Sequence, residues 1–353
     1  MRSFTSVVYT AIGIGLLAGC AGNMASNSTS PLGLGAQVRT APISVFDDAA
    51  PPRLVSVIHS LMLPDKTTKL PKKGTYVSEF DTTSVLGYAA NNKKNNGPIC
   101  TIEGVAFVND VGVDGKDNLM VPNPGSASSN TLDIHRGPTI CGKLIGSIAD
   151  PYGQPSDATS PNAVTGQIAL GNLVDNGSSA GSLSICTFKG GCTVNLTNSA
   201  YFHVGGVAMS NAGDCWIDVK TSASGGAELV YYKGCAGNGA VASGFQQTYY
   251  GGIDIDKSGN LVIIDDMAED VFIYSGCAPK CTVVGGPFAL KGESFWGKLN
   301  QANNRFTAVD RTDGLVDVYS YSTKNIKFLY SYNSGLSASL VPNGVAENPR
   351  SKQ

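Results

Sequence analysis

The chain has 353 residues, of which 15% are charged, with a formal net charge of −2 and 43 glycines. Near-neutrality without a basic cluster excludes a nucleic-acid binder, which needs a lysine- and arginine-rich face to neutralise phosphates. Scarce charge with abundant Gly, Ser, Asn and Thr suits a turn-rich β protein, and the length allows one large all-β domain or two smaller ones.

The amino terminus carries Arg2, an apolar stretch from about Val7 to Leu17, the small residues Ala18 and Gly19, and then Cys20. A membrane-spanning helix needs about 20 apolar residues, so residues 1–19 read as a signal peptide that is removed. Leu17-Ala18-Gly19-Cys20 resembles the bacterial lipoprotein box, which implies that Cys20 is acylated and becomes the mature amino terminus. Acyl chains contribute about 0.8 kcal/mol per buried methylene, so such a chain is held on a membrane without a spanning helix. Ala21 follows instead of aspartate, and the same resemblance then implies the outer membrane or the cell surface. Residues 20–45 read as the lipidated end and a flexible tether, and 46–353 as the folded domain. The apolar segment Leu54–Leu63 has no place in the repeat described below, and reads equally as a helix across one face or an extra strand.

With Cys20 set aside, eight cysteines remain, an even number in an exported chain, and disulfides are the natural reading. Cys186 with Cys192, and Cys277 with Cys281, each flank a short turn and would clip a hairpin. Cys100 with Cys141 and Cys215 with Cys235 are the leftover pairs, although a free buried thiol at Cys215 stays open. Zinc is the rival at Cys277 and Cys281, but no second Cys or His pair of similar spacing accompanies them.

Internal repetition decides the fold class. Gly252-Ile253-Asp254-Ile255-Asp256 leads through Lys257-Ser258-Gly259-Asn260 to Leu261-Val262-Ile263-Ile264-Asp265, with Val271-Phe272-Ile273-Tyr274 as a third strand. The unit recurs from Gly206 to Asp218 with Leu229 to Tyr232, and an earlier copy starts at Gly104. Weaker copies start at Gly166 and Gly297, and a last begins at Gly344. About six starts at intervals of roughly 40 to 60 residues predict an all-β propeller of six four-stranded blades. The strand at Gly344 would lie inside the strands from about Lys73 to Cys100 and close the ring, removing an open edge. The units at Gly206 and Gly252 resemble NHL-type repeats, a propeller group similar also to streptogramin lyases and gluconolactonases. The resemblance implies fold and not activity.

The residues preceding each repeat glycine, Glu103, Thr165, Gly205, Gly251, Trp296 and Asn343, are expected at the central funnel, and His203, two residues before Gly205, falls near it; Glu103, His203, Trp296 and Asn343 are the candidate lining residues. A lactonase-type site would need several oxygen ligands for a divalent metal, and Glu103 and Asn343 alone qualify. A lyase-type mechanism would need a histidine base, for which His203 is the candidate, His135 falling on an outer strand. Asp254, Asp256, Asp265 and Asp266 mimic a calcium run, but three of them sit where turns and strand ends need caps. No metal, cofactor or catalytic residue is therefore assigned. The expected function is a lipid-anchored cell-envelope propeller that binds or scaffolds a protein, peptide or glycan, with a membrane contact through the amino-terminal lipid. The alternative is a propeller enzyme of the lyase or lactonase type.

Overall fold

The computed structural model describes residues 69–125, 130–176 and 178–349. The expected signal peptide 1–19, lipid-bearing Cys20, tether 20–45 and apolar segment Leu54–Leu63 lie outside the described residues.

Blade 1 contains β1 (Gly74–Glu79), β2 (Ser84–Ala89) and β3 (Cys100–Glu103). Blade 2 contains β4 (Gly112–Val113), β5 (Leu119–Asn123), β6 (Thr131–His135) and β7 (Leu144–Ala149), and blade 3 β8 (Gly153–Ala158), β9 (Gln167–Asp175), β10 (Ser182–Thr187) and β11 (Gly191–Thr197). Blade 4 contains β12 (His203–Met209), β13 (Cys215–Ser222), β14 (Gly225–Tyr232) and β15 (Ala240–Val241). Blade 5 contains β16 (Ile253–Ile255), β17 (Leu261–Asp265), β18 (Asp270–Ser275) and β19 (Thr282–Ala289). Blade 6 contains β20 (Gly297–Leu299), β21 (Arg305–Asp310), β22 (Leu315–Ser322) and β23 (Asn325–Tyr332). The last strand, β24 (Pro342–Asn348), pairs antiparallel with β1, Val345 opposite Val77, and the blade runs β24-β1-β2-β3. The described chain is thus a six-bladed β-propeller of four-stranded antiparallel sheets, closed by its carboxy-terminal strand as expected.

The turn after the inner strand explains the repeat. Asp256 accepts from Ser258 N (2.8 Å), Asn260 N (2.9 Å) and Asn260 Nδ2 (2.9 Å), while Asp114 does the same for Lys116 and Asn118. Such a side chain satisfies backbone N–H groups that the turn would otherwise leave unpaired. The repeat glycine has a different cause. A Cβ on Gly206 would lie 2.5 Å from Gly251 O, and one on Gly252 would lie 2.7 Å from Trp296 Cδ1. Only a hydrogen there lets adjacent inner strands meet, as in the bond from Gly206 N to Gly251 O (3.0 Å).

Between blades the apolar faces interlock. Ala169, Leu183 and Ile185 of blade 3 pack with Val207, Ile217 and Val230 of blade 4, all buried, and Val262 and Ile264 of blade 5 meet Phe306 and Tyr319 of blade 6. Stability therefore resides in blade-on-blade contact rather than within single sheets.

Two repeat starts are displaced from expectation. Residues 104–111 form no strand, because Gly104 (φ +82) and Phe107 (φ +46) leave the extended region that a ladder requires, and the inner strand of blade 2 is the pair Gly112–Val113. The sequence from Gly166 is the second strand of blade 3, the inner one being Gly153–Ala158. The cysteines pair as Cys100–Cys141, Cys186–Cys192, Cys215–Cys235 and Cys277–Cys281, so Cys215 is not a free thiol.

Candidate functional site

The six inner strands surround the axis, and the axis is closed by charge. Lys298 on β20 extends its ammonium to Asp110 Oδ2 at 2.8 Å and Asp157 Oδ1 at 3.6 Å. Blade 6 faces blades 2 and 3 across the ring, so this side chain spans the channel. Each carboxylate is also fastened to inner-strand backbone: Asp157 accepts from Val207 N (2.8 Å), Asp110 from Val345 N (3.2 Å), and Asp254 from Leu299 N (2.7 Å). Burial pushes the Asp110 and Asp254 carboxyls above the ordinary carboxylate range, with Lys298 opposing the rise. For Lys298 burial works against the charge, but Asp110, Asp157 and Asp254 outweigh it and hold the ammonium on. The group is a locked ion cluster joining four blades.

Where the inner strands end, the axis opens into a cavity of about 70 Å³ lined from all six blades, including Val113, Ala158, Met209, Ile255, Lys298 and Glu347. Small-molecule sites usually run to about 300–1,000 Å³, so this space suits a few waters.

Where the inner strands begin, aromatic residues converge from several blades. His203 starts β12 and is 4% exposed, its ring 4.3 Å from Phe202 and 6.4 Å from Tyr250. Burial, reinforced by the Lys220 charge, lowers its pKa to about 4, so the imidazole is neutral at pH 7. Lys220, paired across the ladder from His203, is buried; its Nζ donates to Tyr249 Oη at 2.9 Å and lies 4.8 Å from that ring. Burial pulls this amine below the usual lysine range. Trp296, just before β20, stacks on Phe295 at 4.9 Å and is buried, its indole N–H without an acceptor among the described residues. Arg311 lies over the Phe295 ring at 4.7 Å and pairs with Glu293 at 3.6 Å. Asn343 on β24 donates to Asn109 Oδ1 (3.1 Å) and is likewise buried. Phe80, Phe107 and Phe202 are half-buried, Phe80 and Phe107 in contact at 5.9 Å and the Phe202 ring 5.6 Å from Lys220 Nζ. This end is an aromatic floor with two cations set into it.

The candidate lining residues separate accordingly. His203, Trp296 and Asn343 stand at this end, whereas Glu103 terminates β3, the outermost strand of blade 1, and is exposed. Its displacement follows from the irregular 104–111 segment, which shifts the inner strand of blade 2 past Gly104. His135 closes β6, a third strand, with Nδ1 3.2 Å from Gly142 O. Of the aspartate run, Asp256 caps its turn and Asp265 accepts from Thr248 and Tyr249 N, while Asp254 belongs to the ion cluster. Sequence reasoning missed Lys298, Asp110, Asp157 and Lys220. The alternation of charged with apolar residues in Gly297-Lys298-Leu299 was the available signal, since an inner-strand lysine faces the axis.

No protein-family model matches the chain, and no curated protein matches it. Solved structures do. A chain of the nidogen/laminin complex aligns with 78% of this chain and 98% of its own at TM-score 0.57 and 10% identity. A protein of unknown function from Bacteroides caccae aligns over the same shares at TM-score 0.53 and 10% identity. Streptogramin B lyase aligns over 74% of this chain and 73% of its own at TM-score 0.45 and 11% identity, too loosely to carry an argument. These likenesses establish the propeller fold and nothing finer.

Proposed function

We propose that this chain is a binding or scaffold module of the cell envelope, anchored by lipid on Cys20, whose aromatic end receives a protein, peptide or glycan. The observation that carries the reading is the contrast between the two ends of the axis. The ion cluster and a cavity of about 70 Å³ leave no room for a substrate along the channel. The opposite end gathers Phe202 against Lys220, Phe295 between Trp296 and Arg311, and the half-buried pair Phe80 and Phe107, and aromatic and arginine side chains are the ones that anchor interfaces. The aligned propeller from the nidogen/laminin complex supports a protein partner by analogy alone.

One feature favours an enzyme as the second reading. His203, Lys220 and Tyr249 place an imidazole, an amine of lowered basicity and a phenol together at the aromatic end. Incubation with lactones and cyclic depsipeptides separates the two. The binding reading predicts no conversion above the rate without protein, and a turnover abolished by His203→Ala in a chain that still folds would replace it with the enzyme.

A further inference from the structure

A second surface lies at the seam between blades 2 and 3, on the side of the ring where the inner strands end. Ile134 and Ile148, buried members of the core shared by the two blades, floor an open groove of about 470 Å³, and Ile145 and Phe188 wall it at 44% and 47% exposure. Phe188 sits in the turn of the β10–β11 hairpin, which the Cys186–Cys192 disulfide clips, so this wall is preformed. β7 is the outermost strand of blade 2, and Leu144 to Ser147 on it are exposed and uncharged. Edge strands of soluble proteins are commonly blunted by charge or covered, and one that is neither is a template for a further strand. The charge around the groove is of one sign. Lys116 and Lys189 line it, Lys143 directly precedes β7, and Arg136 donates its backbone N–H to Lys143 O (2.9 Å) in the same turn; all four residues are exposed. Asp114, the one acidic residue of the lining among the described residues, is buried and accepts from the amides of Lys116 and Asn118.

We propose that this groove, separate from the aromatic end, takes an extended acidic segment of a partner protein, which pairs with β7 as a fifth strand of blade 2. Side chains of a strand alternate between its faces, so every second one of the segment enters the groove, an apolar side chain between Ile145 and Phe188, while acidic ones meet the basic rim. Three features select this occupant. The open edge of β7 presents main-chain N–H and C=O groups at the spacing that another strand satisfies. The apolar surface is a concavity floored by Ile134 and Ile148, which a planar bilayer does not fill. The basic rim attracts an acidic segment and repels a second copy of this chain, whose own β7 would bring the same cations face to face.

Fluorescence anisotropy on the full-length chain in mild detergent tests this with three labelled peptides of about six residues, the length of β7. One alternates valine with glutamate, one alternates valine with lysine, and the third is the glutamate peptide N-methylated throughout its backbone. The glutamate peptide is expected to bind, and to bind at least about tenfold more tightly than either of the others. Ile145→Lys, and Lys116→Glu combined with Lys189→Glu, should each weaken it by at least about tenfold. These positions are exposed, and an unchanged thermal transition reports that the variant propeller is intact. Phe202→Ala, at the aromatic end, should leave the affinity as it is. No binding of the glutamate peptide would overturn the proposal, as would binding that survives Ile145→Lys or is lost in Phe202→Ala. Equal binding of the N-methylated peptide would make the groove a surface for acidic amphiphiles, lipid headgroups included, and a dimer in sedimentation that excludes the peptide would assign it to a second copy; either overturns strand pairing with a partner.

Discussion

Glu79, at the end of β1, is 3% exposed, and burial raises its pKa to about 7 against a hydrogen bond from Thr82 that lowers it. The folded state therefore holds the proton more tightly than the unfolded chain, whose carboxyl titrates near 4.5. The stability this group contributes is complete below that value and is lost as pH rises through about 7. His203 works in the opposite sense: its pKa falls from 6.5 to about 4, so its contribution is lost as pH drops across that window. Glu79→Gln should consequently gain on the wild type by roughly 2 to 3 kcal/mol between pH 4.5 and 8. Urea unfolding at a series of pH values checks this, and a pH-independent difference contradicts it. Lys298→Met should cost about 3 to 5 kcal/mol at neutral pH, because Asp110 and Asp157 would lose their counter-ion in the interior. Replacing Asp110 with Asn in the same variant should recover part of that loss, which a double-mutant cycle reads directly.

Among the elements, β24 has the largest consequence for its length. Val345 and Ala346 are buried in the cores that join blade 1 to its neighbours, and the strand supplies every inner-strand hydrogen bond to β1. Deleting residues 342–353 should abolish a single cooperative thermal transition, and a synthetic peptide of 341–349 added back should restore it. A truncated chain that melts at the wild-type temperature would show that closure is dispensable. The closing role of Gly344 was readable because its strand repeats the Gly252 pattern. The two displaced starts were not readable for a local reason. Blade 2 enters through positive-φ residues, and the inner strand of blade 3 is Gly-Gln-Pro-Ser-Asp-Ala, whose proline and polar residues give no alternation of apolar side chains. The aromatic end was half legible. Trp296 follows from its position directly before a repeat glycine and His203 from lying two residues before Gly205, but Lys220 reaches His203 from β13 by cross-strand pairing, a relation set by register rather than by sequence proximity.

At the scale of the whole molecule, the ring presents one end that is closed by ions and another that is floored by aromatic rings. Ordered cores between all neighbouring blades and four disulfides among the described residues make the scaffold rigid, so the proposed partner would meet a preformed surface and lose little binding free energy to ordering it. The proposed recognition site is the aromatic end. The measurement that tests it most directly is binding of the wild-type chain and of a Phe80→Ala, Phe107→Ala, Phe202→Ala variant to peptide and glycan arrays. The half-buried positions of these rings allow their removal without opening the core. At least one ligand class bound by the wild type is expected to be weakened by at least about tenfold in the variant. Undiminished binding by the variant, with its thermal transition unchanged, would contradict the claim and move recognition elsewhere on the ring.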